Sequence, residues 1–116
     1  LAELTLPDIY TAISNHYPDM RVSQLTTLSD IGQVGFYELM GGSGTEEWSA
    51  IMKSHLVQIE SATENFHYYL RPGTQHCAIV FDDFFSVSVN DIALVDWVTD
   101  LIERRDVATV ICPECE

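Results

Sequence analysis

The chain has 116 residues, 47% hydrophobic and 20% charged, and its 18 carboxylates face five cations, a formal net charge of -13. That composition supports one core over residues 1–116 and argues against disorder, while apolar runs of about five residues such as Cys77–Phe81 fall far short of the roughly 18 that span a bilayer. An anionic chain also lacks the basic face that displaces counterions from bare phosphate, so direct nucleic-acid binding is excluded and no membrane association is expected.

Thr5 and Asp8 have capping-box spacing, with a carboxylate in place of the usual Glu, and Pro7 falls in the first turn, where its missing N–H costs nothing. Leu6, Ile9, Tyr10 and Ile13 follow at helical spacing and predict a helix near 6–15. From Arg21 to Met40 the pattern divides. Leu25, Leu28 and Ile31 suggest a short helix, whereas Val34 to Leu39, next to the helix-disfavouring Gly32 and Gly35, reads as a strand near 34–40. Gly41-Gly42-Ser43-Gly44 is a break, and Thr45 is a good N-cap with Glu46 and Glu47 favourably placed against the helix dipole. Trp48, Ile51, Met52, His55, Leu56 and Ile59 then share one face of a helix near 46–60.

The aromatic run Phe66-His67-Tyr68-Tyr69-Leu70 predicts a strand near 65–70. After Pro72-Gly73 come two strands near 76–81 and 84–89, with Asp82-Asp83 as their hairpin turn. A two-residue turn puts Cys77, Ile79 and Phe81 on the face of Ser86 and Ser88; a three-residue turn moves them to the buried side of Phe85, Val87 and Val89 and separates polar from apolar better. Asn90 or Asp91 caps a helix near 91–105 that carries Asp96, Asp100 and Glu103 as an acidic outer stripe, and a last strand lies near 107–112. The sum is a single α+β domain, a small antiparallel sheet covered by helices.

Cys112-Pro113-Glu114-Cys115 is the motif with intrinsic chemical meaning, because two thiolates three residues apart can reach one Zn²⁺. It resembles half of a zinc-ribbon site, and the remaining ligands would come from His67, His76, Cys77 or a second subunit. Its Cys-Pro-x-Cys order also resembles thioredoxin-like redox centres, but those need a helix N-terminus after the first cysteine. Three cysteines are the wrong parity for a disulfide framework and point to a reducing, cytoplasmic setting; no secretory signal is visible. Gly41 to Thr45 has the outline of a phosphate-cradling loop without its Gly-Lys-Ser/Thr, and Glu46 and Glu47 would repel the phosphate.

No nucleophile, base and orienting group stand out together, so enzyme activity is not expected, and an enzyme with a composite site is the third reading. The first is a small intracellular regulatory or inhibitory protein acting by direct protein contact on a basic partner, of the anti-activator, immunity-protein or nucleic-acid-mimic kind. The second is a zinc-binding module using Cys112 and Cys115; otherwise no cofactor is expected. Partner-binding candidates are the apolar Tyr68, Leu70, Ile79 and Phe81 and the acidic Asp96, Asp100 and Glu103. An exposed apolar strand or an unpaired sheet edge makes a homodimer the expected assembly.

Overall fold

A computed structural model describes residues 3–116. The capping box forms as expected: the Thr5 hydroxyl accepts from the Asp8 amide at 3.3 Å, and the Thr5 amide donates to Asp8 Oδ2 at 2.9 Å. The Thr5 hydroxyl and amide together hold the Asp8 carboxyl below its ordinary pKa. From this cap runs α1 (Leu6–His16), which turns Pro7, Tyr10 and Ser14 inward and leaves Leu6, Ile9 and Ile13 partly exposed.

The strand β1 (Val22–Thr27), α2 (Ile31–Leu39) and α3 (Thr45–Ala62) lead into β2 (Phe66–Arg71). A two-residue hairpin, β3 (Ser88–Val89) and β4 (Ile92–Ala93), runs straight into α4 (Leu94–Ile102), and β5 (Val110–Ile111) follows. The main sheet has the order β1-β2-β5 and is parallel throughout.

Alternation along β2 builds the core. Phe66, Tyr68 and Leu70 point to one face, where the Tyr10 ring meets Phe66 edge-on at 5.7 Å and Leu56 and Ile59 of α3 are buried. Tyr69 points to the other face, 5.5 Å from the Trp97 ring of α4, and donates its hydroxyl to the Ile92 carbonyl at 2.7 Å. Trp97 in turn donates its indole N–H to the Ala108 carbonyl at 2.8 Å. The result is three layers, with α1 and α3 on one side of the sheet and α4 on the other. Each large apolar side chain fully buried in this way contributes about 2 kcal/mol.

Register also shows which groups of β1 are free. The Val22 amide donates to the Asn65 carbonyl at 3.1 Å and the Leu28 amide to the Arg71 carbonyl at 2.9 Å, so even-numbered residues turn their backbone groups toward β2. Ser23 and Leu25 turn theirs to the open side, where they meet no backbone partner among the described residues.

The α+β class, the helices near 6–15 and 46–60 and the strand near 65–70 are present. Several details differ. The sheet is parallel, not antiparallel, because helices α2 and α3 connect β1 to β2 and α4 lies between β2 and β5. The 21–40 region holds strand then helix, the reverse of the expected order: Asp30 caps α2 by accepting the Gln33 amide at 2.9 Å, which overrides the poor helix propensity of Gly32 and Gly35. Residues 76–81 and 84–89 form no hairpin; 3-10 turns occupy Ala78–Val80 and Asp82–Phe85, with the Arg71 guanidinium pairing with Asp83 at 3.2 Å. The hairpin lies further on, at Asn90 and Asp91, whose φ values of 51° and 64° suit a two-residue turn and fit neither residue to cap a helix. Consequently the last helix covers Leu94–Ile102 instead of 91–105, and the last strand shrinks to Val110–Ile111 within the expected 107–112.

Candidate functional site

Parallel strands deliver their C-terminal ends to one edge of the sheet, where open α/β sheets place their binding loops. Asp30 follows β1 on this edge, and Gln75, His76 and Cys77 follow β2. The Asp30 carboxylate, buried at the start of α2, takes the His76 Nδ1–H, with its oxygens at 2.8 and 3.0 Å. Gly32 makes this possible: a methyl there would stand 2.9 Å from His76 Cγ, so only glycine lets the imidazole lie over the first turn. An oriented imidazole whose Nε2 meets no partner among the described residues is half of an acid–base arrangement.

Next in the chain is Cys77, an exposed free thiol at φ 57°. Nearby, Arg71 donates to Gln75 Oε1 at 2.9 Å and to Asp83 Oδ2 at 3.2 Å, so one largely buried guanidinium fastens the segment that carries His76 and Cys77.

Cys112 and Cys115 do not form a loose tail. The Cys112 amide extends the ladder by donating to the Leu70 carbonyl at 3.1 Å, a 3-10 turn over Pro113–Cys115 brings the two Cα atoms to 5.1 Å, and the buried pair is disulfide-bonded. In that state neither sulfur is a zinc ligand. No three His, Cys, Asp or Glu side chains among the described residues converge, so the further ligands that the zinc reading needs are not gathered around Cys112 and Cys115. Iodoacetamide added to the unreduced native protein should label Cys77 alone, with Cys112 and Cys115 reacting only after reduction and unfolding; mass spectrometry of the digested protein reads the outcome.

The Gly41–Gly44 connection is closed to phosphate by the chain itself. Glu47 accepts the Ser43 amide at 2.7 Å, occupying the place an anion would take at the start of α3. This backbone bond, with a second from the Tyr37 hydroxyl, holds the Glu47 carboxyl below its ordinary pKa, and the same contact pushes the Tyr37 hydroxyl up.

The open edge of β1 is bracketed by two hollows. On the α4 side, Ala78, Ile79, Val80, Trp97, Val98 and Leu101 line one of about 470 Å³. On the α1 and α3 side, a hollow of about 630 Å³ is mixed, with Tyr10, Trp48, Ile51 and Met52 beside Gln33 and His55. At the start of the strand, Asp19, Glu64 and Asp106 share a recess of about 250 Å³ with Ser23 and Arg21. Arg21 is directed away onto the Asp100 and Arg105 carbonyls.

Of the expected partner-binding residues, Tyr68 and Leu70 are buried, because β2 is the central strand and is covered on both faces. Burial, reinforced for Tyr68 by the Glu60 charge, raises the pKa of both the Tyr68 and Tyr69 hydroxyls. Ile79 and Phe81 are exposed. Asp96 and Glu103 lie on the surface and Asp100 is half-buried, but Arg105 bonds Asp100 at 2.9 Å and also pairs with Glu103, so the acidic stripe is partly neutralised. The Asp30–His76 pair escaped sequence reasoning, since 46 residues separate its members. No known protein family, curated protein or solved structure matches the chain.

Proposed function

We propose that the protein is a small intracellular, cytoplasmic regulator or inhibitor that works by binding another protein with a basic surface, its Cys112–Cys115 disulfide shielded from cytoplasmic reductants by burial. The observation that carries this reading is apolar surface on a strongly acidic chain: α2 turns Ile31, Phe36 and Leu39 to solvent, and the turns after β2 do the same with Ile79, Val80 and Phe85. Apolar side chains gathered on single elements and surrounded by charge are the usual make-up of a protein-binding surface. Net anionic charge then selects a cationic partner and speeds encounter. Among the described residues no helix is long and apolar enough to cross a membrane. A second copy of the chain is the other protein that could meet these surfaces, against the repulsion of a formal charge of -13 on each copy.

Capture of the partner from native lysate should weaken by about tenfold between roughly 0.05 and 0.5 M salt, because rim charges are screened within a few ångströms at the higher value. Capture that ignores salt, or no saturable capture at all, removes the basis for this reading.

A composite enzymatic site is the second reading, favoured by the oriented Asp30–His76 pair. Asp30 lines both hollows beside β1, with Gln33, Tyr37 and His55 in one and Cys77 in the other, but His76 is not among the residues lining either.

A further inference from the structure

We propose that the free edge of β1 is a strand-addition site, which takes an extended segment of a partner protein with apolar side chains on one face, small polar ones on the other and a cationic end. This rests on the protein-binding reading above and specifies its mode.

The first requirement is unsatisfied backbone. Ser23 and Leu25 direct N–H and C=O groups to the open side of the sheet, and no described residue meets them. Natural proteins blunt such edges with charge, proline or a covering element. Here Val22–Thr27 contains no charge and no proline, and the 3-10 turn Ala78–Val80 that packs beside the strand makes no backbone hydrogen bond to it. An added strand would satisfy these groups in the manner of other strand-addition complexes.

The second requirement is room for side chains, which alternate across a strand. A segment laid along β1 sends every other side chain to the α4 side, where Leu25, Ile79, Val80, Trp97 and Leu101 make the hollow mainly apolar, with Ser23 and Thr27 along the strand itself and Asp30 just beyond it. The intervening side chains enter the hollow where Gln33 and His55 accompany Trp48 and Met52, which suits small polar groups such as threonine.

The third is charge. Asp19, Glu64 and Asp106 share the recess at the Ser23 end with the guanidinium of Arg21, and Arg104 donates to the Asp19 carbonyl at 3.2 Å, so among these side chains carboxylates outnumber cations by one. A lysine or arginine at that end of the guest is therefore favoured. Self-pairing of β1 fits less well, because it offers the α4-side hollow only Ser23, Leu25 and Thr27 and sets two strongly anionic chains together.

The test uses the full chain and a synthetic peptide of about ten residues, alternating valine and threonine between terminal lysines. Binding should slow amide hydrogen exchange at Ser23 and Leu25 by at least about tenfold while leaving amides already bonded to β2 unchanged. A glutamate-flanked version should bind about tenfold more weakly. Ser23→Pro removes an edge N–H without touching the β2 ladder and should abolish binding, with circular dichroism confirming the fold. Peptides N-methylated at alternate positions leave the protein unaltered: methylation along the edge facing β1 should prevent binding, and along the far edge should not.

Binding without protection of Ser23 and Leu25, indifference to which edge is methylated, or no binding at millimolar peptide overturns the proposal. So does light scattering that shows a dimer with these amides protected before peptide is added. Salt-dependent capture of a lysate protein that survives Ser23→Pro sinks the strand-addition mode alone and leaves the binding role standing.

Discussion

Replacing Tyr69 by alanine is expected to lower the unfolding free energy by about 4 kcal/mol, close to the whole stability of many domains of this size. Tyr69 is fully buried at the centre of the middle strand, with its ring against Trp97 and its hydroxyl on the Ile92 carbonyl at 2.7 Å. Truncation leaves a cavity between sheet and α4 and also strips that carbonyl of its donor. Tyr69→Phe isolates the second effect and should cost about 1 kcal/mol. In urea unfolding the alanine variant should show a midpoint lower by about 2 M with an unchanged slope. A loss below about 1 kcal/mol would mean that α4 is not packed on β2 as described.

Asn65 carries the second large effect. Its side-chain amide donates to the carbonyls of Ser14 and Tyr17 at 3.0 Å each and of Met20 at 2.7 Å, so one residue before β2 fastens the end of α1 and the loop into β1. Asn65→Ala should cost about 2 kcal/mol, since these bonds are only partly buried. Asn65→Asp should cost about 3 kcal/mol at neutral pH, because a carboxylate replaces the donor and faces three carbonyl oxygens. Those oxygens disfavour the charged form, so the introduced carboxyl has a folded-state pKa above its unfolded value of about 3.9. The native state then holds the proton more tightly than the unfolded state. The variant is therefore closest to wild type below about pH 4 and loses stability as pH rises through the raised folded-state value. A deficit that is the same at pH 4 and pH 7 would show that the side chain does not face the carbonyls.

The parts of this fold that were legible in the sequence are those whose signals are local. Thr5 and Asp8 announce α1, the Trp48 to Ile59 face announces α3, and the aromatic run announces β2. Other segments take their state from distant residues. Val34 to Leu39 is helical because Asp30 caps it and because His76 needs the missing side chain of Gly32. Reading that helix as a strand concealed the helical crossover between β1 and β2, and with it the parallel sheet. The hairpin was a missed signal of a different kind: Asn90-Asp91 tolerates positive φ better than Asp82-Asp83 flanked by phenylalanines, and the preference was present in the residue types. For the candidate site, the cysteine pair was visible as a motif, whereas the edge of β1 emerges only from sheet order, which a strand without clear alternation does not advertise.

Strand order also bears on how the molecule is made. The middle strand, β2, is complete by Arg71, but its second neighbour appears only at Val110 and Ile111. While the intervening residues are still emerging from the ribosome, the aromatic ladder Phe66 to Leu70 is flanked on one side alone, and Trp97 has yet to arrive to cover Tyr69. A nascent chain of this design is at its most aggregation-prone between the completion of β2 and the arrival of α4 and β5, and holdase chaperones that shield β-strands would act during that interval.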